Sequence, residues 1–94
     1  MKYEEIEGKE VIGGLARIIG KVSEIEFDTT TRKVTHTCVD VDKNIVEDLG
    51  LKKPMIGSAK ATIPVEMIQA VSDSILLKNA SVNDLKKVIK PLKS

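Results

Sequence analysis

The stretch GGLARIIGKVSEIEFD, residues 13–28, decides how the chain is read. Its glycines and the Gly20-Lys21 pair invite comparison with a phosphate-binding loop. Such a loop needs Gly, four residues, Gly, Lys and then Ser or Thr, because backbone N–H groups wrap the phosphates and a hydroxyl reaches Mg²⁺. Counting back from Gly20-Lys21, the first glycine position holds Leu15, and the hydroxyl position holds Val22. A nucleotide loop also opens a helix. Here Ile25-Glu26-Phe27-Asp28 follows, alternating apolar and polar with the period of a strand. The stretch therefore predicts a strand over 18–27 and no nucleotide cradle. Its apolar positions change phase, since Val22 and Ile25 are three apart while Ile25 and Phe27 are two apart. One extra residue near Ser23-Glu24 restores a single apolar face, as a β-bulge does. Gly20 inside the strand marks a sharp bend or a close approach of backbone.

Outward from this strand the pattern stays short and mostly extended. Residues 8–12 open a short strand that Gly13-Gly14 ends. The turn DTTTRK (28–33) is rich in side chains that bond their own backbone, and it leads into the β-branched run VTHTCVDV (34–41), making a long hairpin. Asn44 is expected to cap one or two helical turns that stop at Gly50. Lys52-Lys53-Pro54 reads as a loop and 55–63 as a weaker strand region. Pro64 is expected to start a helical turn anchored by Val65 and Ile68, and a closing strand covers 74–78. In the tail, Ser81 and Asp84 resemble a capping box. Val82, Leu85, Val88, Ile89 and Leu92 form one apolar stripe, predicting a helix over 81–93 that Pro91 frays. Lys86, Lys87, Lys90 and Lys93 stand in its last turns, where cations suit the helix dipole. Short strands alternating with turns predict a mainly β fold. The expectation is a small barrel of about five or six antiparallel strands, with short helical turns and a C-terminal amphipathic helix.

Composition narrows the function. With 94 residues the chain makes one domain, and 41% apolar with 31% charged residues fits a globular protein. No apolar run approaches the ~18 residues of a membrane span, and the first residues lack a signal peptide's apolar core. Membrane insertion is not expected, and a cytoplasmic location is. Cys38 is the only cysteine, so no internal disulfide can form. Tyr3 and Phe27 are the only aromatics, leaving few rings to stack on bases. Net charge is +1, yet residues 1–50 carry −4 and residues 51–94 carry +5.

The segments GKEVI, IIGKVSEIEFD and RKVTHTCVDVD, followed by ATIPVEMIQAVSDSILL, resemble the PRC-barrel family, named after the H subunit of the photosynthetic reaction centre. The resemblance runs from about Gly8 to Lys78 and is closest to small stand-alone archaeal members. It divides the chain into a leader (1–7), the barrel domain (8–78) and a helix with tail (79–94). Members often carry Gly where this chain has Ala16, and Gly in the hairpin turn where it has Arg32. The resemblance implies an adaptor role, as in the reaction-centre subunit, a ribosome-maturation factor and archaeal cell-division proteins, and it brings no catalytic residue or cofactor.

The remaining candidate chemistry is thin. His36 and Cys38 share a face, with Asp40 extending the row. Zn²⁺ needs three or four ligands and no further Cys or His exists, so surface or barrel-rim residues are the plainer reading. No orienting group or oxyanion hole accompanies a Cys–His pair. Glu4, Glu5, Glu7 and Glu10 read as a solvated leader, and Asp40-Val41-Asp42 lacks the Gly and Glu of a calcium loop. The expectation is a non-catalytic, cofactor-free adaptor that binds a protein partner. Contacts are assigned to the loop at Lys52, Lys53 and Met55 and to helix residues Leu85, Ile89 and Leu92. The apolar stripe covers the chain's own barrel or packs against a second copy as a homodimer. The second reading is a ribosome-maturation-type factor contacting ribosomal protein or RNA through the C-terminal lysines.

Overall fold

Period-two alternation builds the centre of the molecule. The computed structural model describes residues 3–55, 57–78 and 82–92. Strand β1 is Glu10–Ile12, β2 Ile18–Phe27, β3 Val34–Val41, β4 Ala59–Pro64, β5 Ile68–Val71, β6 Ile75–Leu77 and β7 Lys90–Pro91. Helix α1 is Tyr3–Ile6 and α2 is Val82–Val88. The long hairpin β2–β3 lies at the middle of one sheet, in the order β5-β6-β1-β2-β3-β4-β7. Its inward row runs Val22, Val39, Ala61 across three strands, each at most 3% exposed. Each buried Val or Ile of this kind contributes about 1.5–3 kcal/mol of transfer free energy. The outward row on the same strands is Lys21, Asp40, Lys60, with charges that alternate in sign.

The expected bulge is present. Val22 pairs with Val39 and Glu24 with Cys38, so Ser23 is the additional residue, and its hydroxyl donates to the Cys38 carbonyl at 3.3 Å. Gly20 pairs with Val41 and runs hard against β3, where a Cβ would overlap the Asp40 carbonyl. Lys21 is an exposed strand residue, which closes the nucleotide-loop question. In the turn 28–33, Asp28 Oδ1 accepts hydrogen bonds from the Thr30 and Thr31 amides at 2.7 and 3.1 Å.

The sheet departs from the expected closed antiparallel barrel. It has seven strands, β1 and β6 run parallel, and its hydrogen bonding is open between β5 and β7 among the described residues. The physical reason lies at β4. Closure to β5 would need the β4 edge, but β7 occupies it, with Ala61 opposite Pro91 and Thr62 opposite Lys90. The sheet nevertheless curls, because Ile63 of β4, Ile68 of β5 and Ile75 of β6 line one internal apolar gap. The helical turn expected after Pro64 is a single turn of 3₁₀ helix, Val65–Met67. Beyond it Ile68 begins a strand rather than anchoring a helix.

Two caps also differ from expectation. Asp42, two residues before Asn44, holds the turns after β3: its Oδ1 accepts from the Asn44 amide at 2.8 Å, and its carbonyl accepts from Ile45 at 3.0 Å. Those turns end in a Schellman motif, with Leu51 N donating to Val46 O, Gly50 N to Glu47 O, and Gly50 at φ +75°. Helix α2 stops at Val88, before the two-residue strand β7. Pro91 explains this, since a proline one turn on cannot continue the helix. The predicted cap Ser81 and the terminal Lys93 lie outside the described residues. The stripe of α2 faces its own sheet: Leu85 is 1% and Ile89 7% exposed, both in the core. From the leader, α1 places Ile6 in that same core with no exposed surface.

Candidate functional site

Part of the 52–55 loop and part of the segment that follows α2 come together in space. After the Schellman turn the chain runs without regular secondary structure through Leu51, Lys52 and Pro54. The Lys86 stem crosses over Gly50, where an added Cβ would lie 3.0 Å from Lys86 Cε. On the other side, β7 is fastened to β4, and Leu92 N donates to Lys60 O at 2.9 Å. These two segments border a groove of about 710 Å³. Its apolar lining includes Leu51, Pro54, Ala59, Ile89 and Leu92, and its cations are Lys52, Lys60 and Lys86. Among the described residues no carboxylate, imidazole or thiol lines it. A second depression of about 320 Å³ shares Pro54, Ser58 and Ala59 with the first and adds Lys43 and Lys53.

The six assigned residues take different places. Lys52, Ile89 and Leu92 line the groove. Lys53 lies in the adjoining depression and pairs with Glu47 at 3.5 Å. Met55 stands fully exposed beside Pro54. Leu85 is buried and offers no surface. Lys60 is a groove residue that the sequence reading assigned no binding role, and Lys86 lines the groove as well, having entered that reading only among the C-terminal lysines of the RNA alternative. Lys60 carried a usable signal: it is a charged residue between the inward alanines Ala59 and Ala61, so it must face outward. Lys60 is also 3.8 Å from Asp40 Oδ1.

The row of His36, Cys38 and Asp40 sits elsewhere, against Glu26, Glu24 and Lys21 of β2. His36 Nδ1 is 3.1 Å from Thr35 Oγ1 and 3.8 Å from Glu26 Oε2. The Cys38 thiol donates to Glu26 Oε1 at 3.8 Å. Burial pushes that thiol up from 9.0 to about 11, and the charges of Glu26 and Glu24 push it the same way. A thiol held protonated in this way is a poor nucleophile and a poor metal ligand. Among the described residues no group of three His, Cys, Asp or Glu side chains could hold a metal ion.

A further surface is the outer face of the sheet's other half. Ile18, Ile12, Leu76 and Ala70 are successive partners across β2, β1, β6 and β5, with Ile18 and Leu76 exposed. No helix among the described residues is long and apolar enough to cross a membrane.

A mainly β, curled mixed sheet with a bulged central hairpin and a short C-terminal helix is the architecture on view. A model of the PRC-barrel domain matches residues 1–83, and the chain belongs to the PRC-barrel domain family. No curated protein matches it closely enough to count as a relative.

Proposed function

We propose that this PRC-barrel domain is a non-catalytic adaptor that docks a protein partner in the groove between the 49–54 segment and the C-terminal helix. One observation carries the reading. Two segments distant in sequence meet to form a groove of about 710 Å³ with an apolar floor and a cationic rim, but no acid–base or nucleophilic set. Apolar floors with polar rims are what protein-recognition grooves present. A catalytic pocket would instead bring titratable groups into mutual reach.

Photo-crosslinking tests this. Benzoylphenylalanine is placed at Met55, beside the groove, and separately at the exposed Phe27 on the hairpin, in cells making the full chain. Protein adducts are expected at Met55 and not at Phe27, and filling the groove by Ser58→Trp removes them in a variant whose circular dichroism is unchanged. Equal adducts at both positions, adducts indifferent to Ser58→Trp, or RNA as the sole adduct overturn the reading.

A further inference from the structure

Resting on that docking role, we infer that the groove takes an acidic peptide segment carrying aliphatic side chains. The charge distribution is the ground for this. The two adjoining depressions are lined by Lys43, Lys52, Lys53, Lys60 and Lys86 and, among the described residues, by no carboxylate. Two of these cations are answered from the rim, Lys53 by Glu47 and Lys60 by Asp40. Among the described residues Lys43, Lys52 and Lys86 form no ion pair. A chain of net charge +1 has thus gathered unpaired positive charge on one face, where it attracts and orients a negative partner.

The floor selects among anionic partners. Leu51, Ala59, Ile89 and Leu92 give aliphatic surface suited to Leu, Ile or Val side chains. Nucleic acid would call for aromatic rings to stack on bases or an arginine fork on phosphate. Among the described residues neither depression has an aromatic side chain or an arginine in its lining. The lysines read carboxylates and the floor reads the aliphatic side chains between them.

Fluorescence anisotropy on the full chain tests this with three labelled probes: a short peptide alternating Glu and Leu, its counterpart with Gln for every Glu, and an oligouridylate. The Glu peptide is expected to bind about tenfold more tightly than the Gln peptide. Lys52→Gln with Lys86→Gln, both solvent-facing changes, should weaken the Glu peptide about fivefold and leave the Gln peptide unchanged. Amide shifts in the unaltered protein should centre on Lys52, Lys86 and Leu92, a readout that needs no variant. Equal binding of the two peptides, tighter binding of oligouridylate, no binding of the Glu peptide, or shifts centred elsewhere overturns the inference. If Met55 still crosslinks a protein in that case, the docking role stands and only this occupant falls.

Discussion

Gly20 on β2 abuts the backbone of Asp40 on β3 so closely that any side chain would collide with it. A Cβ there would overlap the Asp40 carbonyl and lie 2.7 Å from Val39 Cγ1. The obstacle is backbone and a β-branched side chain, neither of which can swing aside. Gly20→Ala is therefore expected to cost about 1–3 kcal/mol, as overpacked cores do. Urea unfolding measures it, and an unchanged midpoint would remove the close approach from the account.

Ala16 and Arg32 stand at φ +58° and +60°, in the left-handed region that L side chains avoid. They are also the positions where the resemblance set out above leads to an expectation of glycine. Ala16→Gly and Arg32→Gly should each stabilise by roughly 0.5–1 kcal/mol, because the relief of strain outweighs the added freedom of the unfolded chain. The turns are separate, so the gains should add in the double variant. A loss of stability in both single variants contradicts the assigned turn geometry.

Leu85 and Leu92 share one apolar stripe in the sequence but take different places in the fold, Leu85 on α2 in the core and Leu92 after β7, half-buried at the groove. Leu85→Ala should cost about 2–5 kcal/mol, whereas Leu92→Ala should cost less than about 1 kcal/mol. Thermal unfolding of the pair decides it. Equal, small losses would mean that α2 is not part of the core.

Thr37 places its hydroxyl among Val39, Ile63 and Ile68, where Oγ1 finds no hydrogen-bond partner among the described residues. An unmet buried hydroxyl costs about 1–3 kcal/mol, so Thr37→Val should raise stability by about 1 kcal/mol. A destabilised Val variant would reveal a hydrogen bond to that hydroxyl.

Cys38 links stability to alkaline pH. Its folded value of about 11 lies above the ordinary 9.0, so the native state holds the thiol proton more tightly than the unfolded state does. The sign follows: this stabilisation is complete below pH 9 and is lost as pH rises towards 11. Native alkylation by iodoacetamide at pH 8 should run about a hundredfold slower than in the unfolded chain. Cys38→Ser should flatten the alkaline part of the stability profile, and an unaltered profile would place its cause elsewhere.

Strand β2 could be read from sequence with its bulge because its phase change is local, needing only Val22, Ile25 and Phe27. Gly20 likewise announced crowding by its place inside an apolar run. Strand β5 was hidden because Val65 and Ile68 stand three apart, a spacing that suits a helical turn, and pairing with β6 overrides it. Strand β7 is two residues long and contains a proline, so only its docking on β4 identifies it. At the candidate groove Lys52, Ile89 and Leu92 are residues the sequence reading names singly, whereas Leu85, named with them, is buried in the core. The meeting of the groove residues was not legible, because the bond from Leu92 N to Lys60 O and the crossing of Lys86 over Gly50 are tertiary facts.

The parallel pairing of Val11 with Ile75 sets a timetable for the nascent chain. Synthesis delivers the β2–β3 hairpin early and lets it zip locally, within about 1–10 μs. Strand β1 can join it at once on one side, but its other neighbour, β6, lies more than sixty residues further along the chain, Ile75 against Val11. Until β6 emerges, the free edge of β1 stays open to association with other chains, and its arrival is what silences that edge.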